Sequence, residues 1–202
     1  GLKRMYEDNE QAIYYITLEN ENYMMPEMPA GCEEGIIRGM YKVKSVDAKG
    51  SRVQLFGSGA ILRETLRAAD ILAEKYDVAS DVWSITSYTQ LRRDAQECER
   101  WNMLNPEKAP RKSYIEEQLA GVEGPVIASS DYMRILAEQV SAWVPGGLFA
   151  LGTDGMGRSE SREALRRHFE VDAECVVLAT LTQLAKRGKF EQAKLAGVVK
   201  EL

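Results

Sequence analysis

The chain has 202 residues, 45% hydrophobic and 28% charged, with 26 Lys and Arg against 31 Asp and Glu for a net charge of −5. This is the composition of a soluble globular protein, and the acidic balance argues against nucleic acid or an acidic membrane as partner. A spanning helix needs about 20 mostly apolar residues, and apolar runs such as Cys175-Val176-Val177-Leu178-Ala179 fall far short. The 16 glycines and 6 prolines are too few for a collagenous or disordered chain, and Cys32, Cys98 and Cys175 form no CxxC. With His168 the only histidine and the three cysteines far apart in sequence, a Cys/His zinc site is not expected. Inert thiols in a reducing cytoplasm are expected. The chain opens on Gly1-Leu2-Lys3-Arg4 without a signal-peptide core and reads as the middle of a longer polypeptide.

In chain order, Gln11 to Leu18 is rich in β-branched and aromatic residues and predicts a strand. Glu19 to Pro29 is a polar connector punctuated by Pro26 and Pro29. Gly31 to Met40 predicts a short helix carrying Ile36, Ile37 and Met40, and Ala48 to Ser51 a turn. Strands and helices then alternate. Val53 to Phe56 is a strand, Gly57-Ser58-Gly59 a bend, and a helix runs to about Tyr76 with Leu62, Leu66, Ala69 and Ala73 on one face. Val82 to Thr86 is a strand, Tyr88 to Trp101 a helix, Ser113 to Leu119 a short helix, and Pro125 to Ser129 a strand. Asp131 is expected to cap a helix with Met133, Leu136, Val140 and Trp143 inward. A strand over Gly147 to Leu151 precedes a helix capped by Ser159 and ending near His168. Asp172 caps a helix with Val177, Leu181 and Leu184 inward, stopped at Lys186-Arg187-Gly188, and a last helix covers Phe190 to Leu202. This alternation predicts an α/β sandwich around a mostly parallel sheet.

Four stretches carry the candidate chemistry. Gly57-Ser58-Gly59-Ala60-Ile61-Leu62 sits where a phosphate-cradling turn would, but Leu62 replaces the third glycine of G-x-G-x-x-G, so a plain strand-to-helix turn competes with dinucleotide binding. Gly152-Thr153-Asp154-Gly155-Met156-Gly157-Arg158-Ser159 follows a strand, where parallel sheets gather ligands. It reads either as a ligand loop or as a turn packed on a neighbouring domain. Asn20-Glu21-Asn22-Tyr23 is either a substrate-orienting loop or a hydrogen-bonded connector. His168 ends a helix, where the dipole favours a cation, and the Arg92-Arg93 and Arg166-Arg167 pairs, with Asp94, Glu97 and Glu170 nearby, read as solvated ion-pair faces.

At these motifs a resemblance emerges. YYITLENENYMMPEMPAG (14–31), CERWNMLNPEKAPR (98–111), SSDYM (129–133) and LGTDGMGRSESREALRRHFEVDA (151–173) resemble the C-terminal part of bacterial homodimeric pyruvate dehydrogenases, the decarboxylating first component of the multienzyme complex. The resemblance implies that residues 1–45 end a preceding pyrimidine-binding domain and that 46–202 form a transketolase C-terminal-like domain. That domain would be a three-layer sandwich with a five-stranded, mixed, mostly parallel sheet. It implies a homodimer using thiamine diphosphate and Mg²⁺, with the dihydrolipoyl acetyltransferase component and the preceding domains of the same chain as partners.

It also implies what this stretch lacks. The cofactor's Gly-Asp-Gly and its downstream paired asparagines have no counterpart after Asp154-Gly155, so these residues are expected to hold neither cofactor nor metal and to be inactive alone. Asn20, Glu21, Asn22 and Tyr23 become substrate-channel candidates, and Asp154, Arg158 and Ser159 an interface or channel loop. Some relatives carry a histidine after that tyrosine; here it is Met24, whose thioether takes no proton. The rival expectation is a stand-alone binding or regulatory module of the same fold, holding a small anion or nucleotide at the 57–59 bend.

Overall fold

The structure, a computed structural model, describes residues 1–14, 22–24 and 26–201. Five strands form one sheet in the order β1 (Met40–Val46), β3 (Ala79–Ile85), β2 (Arg52–Gly57), β4 (Val126–Ser129), β5 (Leu148–Leu151). β1 runs antiparallel to β3, and the other pairings are parallel. The mixed, mostly parallel sheet expected from the sequence is therefore the observed one. Interior strands β2 and β4 are almost wholly buried, as is β3, because helices cover both faces.

On one face Phe56, Trp83 and Ala128 pack with residues of α3 (Tyr88–Leu104), α4 (Tyr114–Gln118) and α5 (Arg134–Glu138). On the other, Leu55, Val82 and Ile127 meet α2 (Leu62–Tyr76), α7 (Ala173–Lys186) and α8 (Leu195–Glu201). Full burial of Leu72, Leu181 and Leu184 is worth about 2 kcal/mol each relative to exposure. The local signals in α7 act as expected: Asp172 accepts from the Cys175 amide at 2.9 Å, Leu181 and Leu184 are buried, and Gly188 leaves the helix at φ +68°.

Several expectations need correction. The buried face of α2 is Thr65, Ala68, Ala69 and Leu72, a small rotation from the stripe read off the leucines, because the helix packs on both the sheet and α7. The helix after Gly31 is α1 (Glu33–Arg38). It stops at Gly39, whose φ is +110° and where a Cβ would lie 2.7 Å from the Ser87 carbonyl oxygen. Met40 is no longer helical but opens β1, so the sheet begins on the amino-terminal side of the 45/46 boundary. This edge strand is lysine-rich and bulged between Lys42 and Lys44, devices that discourage edge-to-edge association. Residues 11–14 form no strand, and 15–18 lie outside the described residues. α5 starts later and ends earlier than expected, followed by a single 3₁₀ turn at Ser141–Trp143. The last helix begins as a turn at Gln192–Lys194, and Leu202 lies outside the described residues.

Candidate functional site

Three loops leave the carboxyl ends of neighbouring parallel strands and meet. Ser58–Ile61 follows β2, Ser130–Tyr132 follows β4, and Gly152–Arg158 follows β5. The connection after β2 goes to one face of the sheet and that after β4 to the other, which opens a crevice between them. Backbone and hydroxyl bonds tie the loops together. Ser58 and Ser130 share a buried hydroxyl bond of 2.8 Å, and the Thr153 amide donates to the Tyr132 carbonyl at 2.9 Å. Gly152 is required here, because a Cβ would sit 2.6 Å from that carbonyl oxygen. Gly59, at φ +54°, turns the first loop within reach of the Asp131 carboxylate.

The crevice is a cleft of about 610 Å³, lined among others by Tyr23, Gly59, Asp131, Arg158, Arg162 and Arg166. Tyr23 comes from the far amino-terminal segment. Its ring lies under the Arg63 guanidinium at 4.3 Å, and its hydroxyl accepts from Arg166 Nη2 at 3.4 Å. Arg166 Nη1 donates to Glu64 at 3.0 Å, and Glu64 also accepts the Ala173 amide. Arg158 meets no carboxylate within 4.0 Å among the described residues, unlike Arg134 and Arg166. Asp131 is exposed as a residue, yet enough protein surrounds its carboxyl to push the pKa above the ordinary value, with Arg166 opposing that rise.

Asp154 faces elsewhere. Its two oxygens accept from the Arg134 amide at 3.0 Å and from Arg134 Nε at 2.5 Å, and these bonds hold its pKa below the usual carboxylate range. Asp154 thus closes the start of α5 from a different loop, the role expected of Asp131. Asp131 lies too far ahead of the first helical turn, whose flanking residue is Met133. Ser159 is exposed and outside the cleft; α6 (Arg162–His168) begins two residues later than read, and Ser161 caps it by accepting from the Ala164 amide at 3.3 Å.

Of the remaining candidates, Asn20 and Glu21 lie outside the described residues, Asn22 and Met24 are exposed, and Tyr23 enters the cleft. His168 is exposed at the end of α6, edge-on to Phe169 at 4.9 Å. Arg166 and Arg167 are paired, but with Glu64, Asp172 and Glu174 rather than with Glu170. Burial raises the Cys98 thiol and pushes Cys175 up to about 12, so neither is a thiolate at neutral pH.

These residues do not fit a thiamine diphosphate–Mg²⁺ site. Asp154, the acid of the glycine-rich loop, has both oxygens committed to Arg134, and the described residues bring no three acids, histidines or cysteines together around a metal position. Sequence reading missed Asp131, Arg162 and Arg166 as cleft residues, although 158, 162 and 166 recur at steps of four.

Residues 39–172 match the transketolase-like TK C-terminal domain. The chain belongs to this family. Relatives agree: it is 53% identical to the pyruvate dehydrogenase E1 component of Escherichia coli K12 over 201 residues, covering 98% of this chain and 22% of that protein. The corresponding protein of Pseudomonas aeruginosa is 50% identical over 98% of this chain and 23% of its own length. The chain thus spans about a fifth of the length of the curated relatives it matches. A transketolase structure from Pichia stipitis superposes over 78% of this chain and 20% of its own with a TM-score of 0.52 at 14% identity, a likeness of fold alone. No helix among the described residues is long and apolar enough to cross a membrane.

Proposed function

We propose that the chain is the C-terminal lobe of a thiamine-diphosphate-dependent pyruvate dehydrogenase of the homodimeric type, acting in the cytoplasm within a multienzyme complex. The parent protein would decarboxylate pyruvate on its cofactor and reductively acetylate the lipoyl group of the acetyltransferase component. Half-identity to the Escherichia coli E1 component across nearly the whole chain carries this reading.

The lobe's own part is assembly and channel shaping, not chemistry. Exposed apolar side chains on the connections after β4 and β5 support it. Met156 is 82% and Ile135 63% exposed, and Tyr132 and Met133, just ahead of Ile135 in sequence, are exposed as well; exposed apolar surface is a feature of faces that meet another protein. The preceding domains of the same chain and a second subunit are the natural occupants. The segment before Met40, which brings Tyr23 to the cleft, would be the end of the preceding domain and its connector, with Asn20 to Tyr23 near the substrate channel. Asp154 and Arg158 would shape that interface, Asp154 through its hold on Arg134; Ser159 would contribute only from the loop's outer surface.

The test is differential scanning fluorimetry with thiamine diphosphate, with and without Mg²⁺. The 202-residue chain is expected to show no Mg²⁺-dependent stabilisation and no decarboxylation of pyruvate. A polypeptide extended at its amino terminus by the missing part of the relatives should show both. Mg²⁺-dependent cofactor binding by the short chain would overturn the assignment.

A further inference from the structure

We propose that the outward face of α3 is a docking surface for an acidic helical segment of another protein. Arg92, Arg93 and Arg100 would pair with its carboxylates, and Met103 and Leu104 would take an apolar side chain at its end. The face lies apart from the cleft, and the proposal does not depend on the pyruvate dehydrogenase reading.

Tyr88, Leu91 and Ala95 turn α3 into the core. Arg92, Arg93, Gln96, Arg100, Met103 and Leu104 recur at steps of three and four on the side turned to solvent, and all are exposed. The sequence sets acids beside these arginines, but the fold spends two of them. Asp94 accepts the Tyr114 amide at 2.6 Å, and Glu99 accepts from Trp143 Nε1 at 2.8 Å. Glu97 is exposed and meets neither Arg93 nor Arg100 within 4.0 Å. The three guanidinium groups are left without an ion pair or hydrogen bond among the described residues, unlike those of Arg38, Arg166 and Arg167.

The apolar end is held open by the loop that follows it. Asn102 clasps Arg111, donating to its carbonyl at 2.9 Å and accepting its amide at 2.7 Å, and the Arg111 guanidinium lies over the Trp101 ring at 4.0 Å. The loop thus folds back over Trp101 and leaves Met103 71% and Leu104 58% exposed. The Glu99–Trp143 bond sets this half of α3 beside the chain entering β5, at the opposite end of the sheet from Tyr132 and Met156. The face is therefore separate from the apolar surface at the carboxyl ends of β4 and β5.

Charge decides the occupant. The chain as a whole carries −5, and Glu97 and Glu107 stand exposed among the cations, so a continuous polyanion such as nucleic acid is penalised. Two apolar side chains are too few to hold the face on an anionic lipid surface. Discrete carboxylates at helical spacing meet the guanidinium forks and avoid Glu97. From Arg92 to Leu104 the row is roughly 18 Å long, about three turns of a partner helix.

The probe is a capped helical peptide of about 15 residues, with glutamates at steps of three and four and two leucines at one end, titrated with the chain by fluorescence anisotropy. Saturable binding that weakens with added salt is expected, and a counterpart with glutamine for every glutamate should bind about tenfold more weakly. Arg92→Gln, Arg93→Gln and Arg100→Gln together should cost the glutamate peptide about tenfold. Lys75→Gln, Lys189→Gln and Lys200→Gln together, exposed cations on the face of the sheet that carries α2, α7 and α8, should leave it within about twofold. Leu104→Ser should weaken binding at low and high salt alike. No saturable binding up to about 1 mM, or equal losses in the two triple variants, overturns the proposal. So does tighter binding to duplex DNA or to phosphatidylserine vesicles than to the peptide, or a chain dimer that the three arginine substitutions dissociate. Charge reversal keeps the test decisive if the triple arginine variant fails to fold: Arg93→Glu with Arg100→Glu should prefer a peptide carrying lysine in place of glutamate, and an unchanged preference would also overturn it.

Discussion

The two ends of the sheet treat charge in opposite ways. Toward the amino ends of β2 and β3, the buried Asp81 accepts from Ser45 Oγ at 2.6 Å, Arg52 Nη1 at 3.1 Å and Gln54 Nε2 at 3.3 Å, with Lys42 Nζ at 3.5 Å. Gln54 in turn accepts from Trp83 Nε1 at 2.8 Å and donates to the Glu123 carbonyl at 3.1 Å. One carboxylate thereby links β1, β2 and β3 and fixes their register, since a one-residue slip would leave a buried ion without partners. At the carboxyl ends, Arg158 and the Asp131 carboxylate have no such closure among the described residues. Charge fully answered within the fold is structure; charge left over beside a cleft is what a ligand or a partner can use.

The comparison breaks first at Asp81. Asp81→Ala strands Arg52, Lys42, Gln54 and Ser45 and should cost about 3 kcal/mol in urea denaturation, the low end for removing one side of a buried pair because Arg52 keeps some water. The same residue sets an acid limb. Burial alone would raise its pKa, but Ser45, Gln54, Lys42 and Arg52 outweigh burial and hold it below the ordinary value. A depressed carboxylate contributes stability that is complete above the unfolded value, near 4, and is lost as pH falls through the folded one. The unsubstituted chain should therefore lose stability more steeply below about pH 4 than Asp81→Ala does, and parallel acid limbs would show that this network is not what holds the sheet.

Much of the fold was legible because its signals are local. Asp172, the apolar spacing of Leu181 and Leu184, and Gly188 act within one helix, and each does what its neighbours in sequence imply. β1 escaped notice because an edge strand needs no apolar alternation: its Lys42 and Lys44 are exposed and its partner β3 lies some forty residues away. The candidate site was legible only in part. The glycine-rich loop announces itself, but which acid closes α5 depends on the loops after β4 and β5 meeting in space, so Asp154 takes the capping role that proximity in sequence assigned to Asp131, and Asp131 lines the cleft instead. Tyr23 reaches the cleft through Arg63 and Arg166, contacts across long stretches of chain that no motif encodes.

Smaller effects sharpen the contrast at the open end. Burial raises the Asp131 pKa, so its contribution to stability is complete below the unfolded value and is lost as pH rises through the folded one. At neutral pH the ionised group is a small liability. Asp131→Asn should raise Tm by about 1–2 °C at pH 7 and lose that advantage at pH 3, and a lower Tm at pH 7 would mean that the carboxylate is answered within the fold after all. The smallest effect belongs to Arg158. Because it pairs with no carboxylate among the described residues, Arg158→Gln should change stability by no more than about 0.5 kcal/mol. Arg52→Gln, which removes a guanidinium bonded to both Asp47 and Asp81, should cost clearly more. Equal costs for these two substitutions in the same urea series would mean that Arg158 is as structural as Arg52, and the division between a closed end and an open end of this sheet would not stand.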